Sequence, residues 1–205
     1  MSEAELETRG RILLAAKEEF LEKGYKNAWL RSISKEAGVT TGALYGYFRS
    51  KEDLFGTLVE KEYRYVLNIY SQVLQEFNTF PPAERIHRIS EYTGKGMRLV
   101  GTYMYRHWDA FKLILCHADD TAYGHLIDDM VRLDVQATLA FSQSSVAVGI
   151  LLRPVNETLA QRLSYSKFSL FFDMVTQDLP REQMDEYIDQ LLQFYLGGWG
   201  KLWGY

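Results

Sequence analysis

Apolar residues recur along this chain every three to four positions, the spacing of helices buried on one side. From Glu5 to Lys23, Ile12, Leu13, Ala16 and Phe20 share a face, while Lys17, Glu18 and Glu19 fall elsewhere. Gly24 ends that pattern. A shorter helix over 30–37 turns Leu30, Ile33 and Ala37 inward. Gly38 then stands where a left-handed residue is wanted, with Val39 as a buried turn residue. Thr40 or Thr41 supplies a capping hydroxyl for a third helix ending at Phe48, which buries Ala43, Leu44 and Phe48. It leaves Thr41, Tyr45 and Tyr47 more outward.

The longer segments follow the same period. Ser50-Lys-Glu-Asp53 has the form of a capping box and opens a helix to about Glu76, carrying Leu54, Leu58, Tyr65, Ile69 and Val73. Phe80-Pro-Pro82 breaks the chain, and a helix from Ala83 to about Tyr105 follows, weakened by Gly94, Gly96 and Gly101. Further helices are predicted over 108–117, 123–148 and 159–175, the last capped by Asn156. The final one runs from Arg181 to about Gly197 and frays beyond Leu196. No stretch reads as a strand. The fold class is all-α, about nine helices. A three-helix head over 1–52 holds a helix-turn-helix, and a larger helical body occupies 53–205.

Charge changes the picture of the head. The 205-residue chain has a net charge of -4. Yet between Arg9 and Lys51 nine Lys/Arg stand against four acids (Glu18, Glu19, Glu22, Glu36). A basic N-terminal quarter on an acidic body reads either as a head with a polyanionic partner or as chance clustering on a solvated face, and charge alone does not choose between them. No apolar run approaches the roughly 18 residues of a membrane span, and Met1–Arg11 has no secretory core. The single cysteine, Cys116, forms no internal disulfide. These features fit a cytoplasmic protein without membrane contact.

Enzyme chemistry finds little support. There is no HExxH, no GxSxG and no phosphate-cradling glycine loop. His107, Cys116-His117 and His125 straddle a helix break and have no orienting acid at motif spacing, so they are read as structural or solvated. No metal or cofactor is expected.

Gly24-Tyr25, Ile33, Glu36-Ala-Gly-Val39, Gly42, Leu44-Tyr45, Tyr47-Phe48 and Lys51-Glu-Asp-Leu-Phe55 together resemble the N-terminal signature of TetR-type bacterial transcriptional regulators. The resemblance covers roughly Arg9 to Phe55 and implies a DNA-binding head on a ligand-binding, dimerising body. One position departs: the family usually opens its second helix with Ser or Thr, and here Ala28-Trp29 stand there. Either Asn27 caps instead or a phosphate contact is lost.

The residues exposed between Thr40 and Tyr47 are the physical candidates for meeting double-stranded operator DNA. The resemblance implies Thr40, Thr41, Gly42, Tyr45, Tyr47 and Lys51. None is Arg, Asn or Gln, so strong bidentate base readout is absent from this helix, and specificity leans on apolar contact and DNA shape. The last two long helices carry more apolar surface than one buried face needs, including Phe171, Met174, Leu191, Leu192 and Tyr195. The resemblance implies a homodimer through a four-helix bundle; an ordinary core is the alternative. Tyr92, Tyr103, Trp108, Phe111, Phe141, Phe168 and Phe172 make the body rich in aromatics. They line either a plain core or a pocket for a flat small-molecule effector, aromatic, apolar or cationic. The favoured function is a ligand-responsive dimeric repressor. A helical enzyme with an incidental helix-turn-helix, and a head that binds protein instead of DNA, are the competing readings.

Overall fold

The computed structural model describes residues 2–151 and 153–203. Among them are nine α-helices and no strand: α1 Glu3–Asn27, α2 Leu30–Glu36, α3 Thr41–Tyr47, α4 Lys51–Asn78, α5 Pro82–Arg106, α6 Trp108–Cys116, α7 Leu126–Ala147, α8 Glu157–Thr176 and α9 Met184–Trp203. A single 3-10 turn, Arg181–Gln183, precedes α9.

The chain forms two compact units. The first comprises Met1–Arg64 and His107–Leu126, so it contains α1–α3, the start of α4 and all of α6. Its core is Ile12, Ala16, Phe20, Ile33, Leu44, Phe48, Leu54 and Phe55, all essentially without solvent contact. Full burial of one such side chain contributes about 1.5–3 kcal/mol, and Phe20 meets Phe55 edge-on at 5.1 Å. Gly24 has φ +72° and interrupts α1 with a non-helical residue, as its place in the pattern predicts. That kink leaves the Tyr25 N–H to donate to the His117 carbonyl at 2.9 Å, and Lys17 pairs with Asp109 at 2.6 Å. These two links tie α6 into this unit.

The second unit comprises Tyr65–Arg106 and Ile127–Tyr205. Its core joins Val73, Phe77, Tyr92, Phe141, Leu151 and Trp203, with Phe168, Phe171 and Phe172 of α8 fully buried. One expectation fails here. α9 does not fray at Leu196 but continues to Trp203, because Trp199 stacks on Trp203 at 4.8 Å and Phe141 packs on Trp203 at 5.1 Å. The helix predicted from Ala83 to about Tyr105 does form, as α5, with its glycines inside it. A Cβ on Gly101 would lie 3.0 Å from Ile188 Cδ1 and 3.2 Å from Met184 Sδ, so glycine is what lets α5 close on α9.

Candidate nucleic-acid interface and effector cavity

The turn of the helix-turn-helix is built from backbone bonds. Gly38 (φ +68°) donates to the Lys35 carbonyl at 3.1 Å, and Val39 donates to the Ser34 carbonyl at 2.9 Å. This double closure is a Schellman end, and it needs a left-handed residue where Gly38 stands. The Thr40 hydroxyl then caps α3 by accepting the Ala43 N–H at 3.1 Å. Leu44 and Phe48 face the core, whereas Ala43, expected inside, is exposed.

Of the six residues implied for DNA, Gly42, Tyr45 and Thr40 lie exposed along α3 and its cap, Tyr45 with 53% of its surface open. Tyr47 is half-buried. Thr41 is also half-buried, and its hydroxyl meets that of Ser34 at 3.1 Å, which ties α3 to α2. The Lys51 ammonium turns back toward the Lys26 carbonyl (3.2 Å) and sits 4.8 Å from the Tyr25 ring centre. Partial burial holds that ammonium below the usual lysine range. Sequence reading missed Arg31 and Lys35, both exposed on α2. Their spacing of four residues puts them on one face, a signal that was available.

The start of α2 resolves the missing cap. Trp29 is the N-cap and offers no side-chain oxygen. Asn27 does not replace it, because its amide donates to the Lys23 carbonyl instead. The cap comes from α1. Glu19 accepts the Trp29 N–H at 3.1 Å, the Ser32 hydroxyl at 2.9 Å and the Lys23 ammonium at 2.8 Å. Glu19 is buried, contrary to its expected place on the outer face. Burial raises its pKa, but these donors outweigh burial and hold the carboxyl below the usual range. The negative charge also suits the N-terminal end of a helix. Trp29 itself projects with 71% of its surface exposed.

In the second unit, a cavity of about 60 Å³ is walled by Tyr70, Phe77, Tyr92, Phe141 and Trp203, with Asp134, Thr93 and Thr138 as polar members. Tyr92 and Phe141 thus come together at one cavity. Phe168 stands behind it, edge-on to Tyr70 at 5.5 Å, and Phe172 is buried in the same core. Tyr103 stacks on Tyr65 at 4.0 Å and does not line the cavity. Trp108 and Phe111 lie on α6, in the other unit. Asp134 accepts from the Tyr70 hydroxyl (2.7 Å), the Ser164 hydroxyl (2.6 Å) and the Lys167 ammonium (2.6 Å). Burial pushes the Asp134 carboxyl up, yet the Lys167 charge and these bonds bring it below its ordinary value. Burial, together with the neighbouring carboxylate, pushes the Tyr70 phenol well up.

Of the residues named for a dimer interface, Phe171, Met174, Leu192 and Tyr195 are buried within their own unit, and Leu191 is half-buried. The apolar surface left open on α8 and α9 consists instead of Leu159, Tyr165, Leu170, Phe194 (74% exposed) and Leu202. Among the described residues no group of His, Cys, Asp and Glu is placed to hold a metal, and no helix is long and apolar enough to cross a membrane.

Residues 12–58 match the family model for bacterial regulatory proteins of the tetR family. The chain thus carries a head similar to that of the TetR family. Its head is 47% identical over 53 residues to the HTH-type transcriptional repressor BepR of Brucella suis, which covers 26% of this chain and 25% of that protein. It is 38% identical over 73 residues to the HTH-type transcriptional activator FasR of Mycolicibacterium smegmatis, covering 36% of this chain and 32% of that one. The match thus spans about a quarter to a third of these relatives' lengths. The whole fold is similar to the crystal structure of NalD, the secondary repressor of the MexAB-OprM multidrug efflux pump in Pseudomonas aeruginosa. That likeness has a TM-score of 0.60 at 22% identity and covers 96% of this chain and 98% of NalD. All three are transcriptional regulators rather than enzymes.

Proposed function

We propose that this protein is a dimeric transcriptional repressor of the TetR type whose hold on operator DNA is released by a small-molecule effector. The observation that carries the reading is the head: a capped recognition helix whose exposed side bears Thr40, Gly42 and Tyr45, beside the exposed cations Arg31 and Lys35 of α2. Such a helix enters the major groove, while neighbouring cations hold phosphates. Thr41 and Lys51 act mainly by fixing that helix, since their polar atoms are engaged within the head. Tyr47 completes the set at the end of α3. The functional division remains a DNA-binding head over 1–52 and an effector-binding, dimerising body over 53–205.

A second copy of the chain packs on the open apolar face of α8 and α9, and pairing two heads supplies the site length and affinity that one head lacks. The effector occupies the aromatic cavity of the second unit and favours a form with lower DNA affinity. The sign of regulation follows the repressors BepR and NalD; FasR, named an activator, marks the alternative.

The test is a mobility shift with duplex DNA from upstream of the protein's own reading frame. The expected result is a shift that weakens steeply with salt, because cations displaced from phosphates re-bind as salt rises. Absence of any shift at low salt would remove this reading.

A further inference from the structure

The cavity carries a statement about charge. Asp134 is the one formally charged residue in its wall, and its three hydrogen-bond donors already include the Lys167 ammonium. Lys167 in turn lies 4.7 Å from the Phe168 ring centre, so both members of the pair are enclosed and engaged. The next charged group outward is neutralised in the same way. The Tyr92 hydroxyl donates to Glu76 at 3.0 Å, and the other Glu76 oxygen takes the Lys95 ammonium at 2.6 Å. The two carboxylates that bond to groups of the wall, Glu76 on α4 and Asp134 on α7, thus each have a cation of their own, Lys95 on α5 and Lys167 on α8. The rest of the wall is aromatic or aliphatic, with the Thr93 and Thr138 hydroxyls as further hydrogen-bonding groups.

A charge moved from water into such a site keeps its full desolvation cost unless the site offers an opposite charge, and here none is left over. A neutral molecule pays no such cost, and it gains contact with Tyr70, Phe77, Phe141 and Trp203. We infer that the effector is a small, uncharged, largely apolar molecule carrying a single hydroxyl- or carbonyl-type group, and that the Asp134–Lys167 pair is the element that rejects ions of either sign. This rests on the cavity being the effector site of the proposed regulator.

The experiment titrates the full chain by calorimetry with three probes of one size: benzyl alcohol, benzoate and benzylammonium. Benzyl alcohol binds at least about tenfold more tightly than either ion, the ratio expected when an ion must be buried without a partner. Lys167→Met leaves the Asp134 charge uncompensated and moves benzylammonium to first rank; Asp134→Asn moves benzoate there. Where either variant does not fold, the order in the unaltered protein decides. An ion ranking equal to or above the alcohol in that protein, or no binding of any probe, overturns the inference. The same samples are mixed with the upstream duplex. Protein that holds this DNA but ranks an ion first refutes the neutral effector and leaves the regulator standing. Protein that ranks the alcohol first but ignores the DNA upholds the cavity chemistry and refutes the regulator.

Discussion

Glu19 shows how one residue can replace a missing cap. A hydroxyl at position 28 or 29 would satisfy the first N–H groups of α2 locally, and Trp29 cannot. A carboxylate from α1 does so across the head, which makes the placement of α2 depend on α1. Glu19→Gln keeps one acceptor oxygen for the Trp29 N–H, meets Ser32 only with its donating amide and loses the Lys23 ion pair, and Glu19→Ala loses all three. Glu19→Ala is expected to destabilise the protein by about 1–2 kcal/mol at pH 7, measured by urea unfolding. The pH dependence has a definite sign. The folded Glu19 carboxyl lies below its usual range. Its stabilisation is therefore complete above the unfolded glutamate pKa of about 4.3 and is lost as pH falls through the folded value. The stability gap between the unaltered protein and Glu19→Gln narrows accordingly on acidification below about pH 4.3. A gap independent of pH would mean that Glu19 acts only by packing. Trp29, freed from capping, is exposed beside the same helix start. Trp29→Ala is expected to leave stability within about 0.5 kcal/mol, as surface substitutions do. Its expected effect is on DNA affinity, read in the same mobility shift.

At the scale of elements, the helices were legible because a 3.6-residue period over ten or more residues has few alternative readings. Which face a helix buries was harder to read. On α4 the buried stripe is Tyr63, Val66, Tyr70, Val73 and Phe77, a regular three-four alternation, whereas Tyr65 is exposed and Ile69 half-buried. Tyrosines fit either face of an amphipathic helix, so the pattern admitted both registers, and the cavity residues Tyr70 and Phe77 went unseen. Trp203 was hidden for another reason. Gly197, Gly198 and Gly200 look like a helix end by local propensity, and tertiary packing of two tryptophans overrides them. The glycines of α5 lower local propensity in the same way, yet the predicted helix forms, and their value is the space they leave. Gly101→Val is expected to cost about 2 kcal/mol, because its added atoms meet Ile188 and Met184. Gly10→Ala has nothing within 4 Å of the new Cβ and is expected to stabilise α1 by about 0.5–1 kcal/mol. Thermal unfolding of the pair tests whether glycine on α5 is a matter of packing: similar shifts in both would say that it is not.

For the whole molecule, the head was the most readable part, since its turn, cap and core follow from local chemistry within about fifty residues. The body's function was less so, because a cavity and a free surface are made by residues far apart in the chain. Phe171, Met174, Leu192 and Tyr195 were reasonable guesses for an interface on apolarity alone, but apolarity does not say whether the partner is another helix of the same chain. Phe194, largely exposed, is the sharper probe. Phe194→Asp is expected to leave the fold intact and to give a monomer in light scattering. Its DNA affinity should fall by well over tenfold, as expected when two linked heads become one. A dimer that survives this change would place the interface elsewhere.

The most direct test of the central claim is fluorescence anisotropy of a labelled upstream duplex across a salt series, comparing the unaltered protein with Tyr45→Glu and Lys35→Ala. Tyr45 is exposed on α3, so a carboxylate there disturbs the groove contact without disturbing the core. The account predicts that Tyr45→Glu abolishes binding and that Lys35→Ala lowers the salt slope by about 1 per head. Equal affinity and equal slope in all three proteins would contradict it.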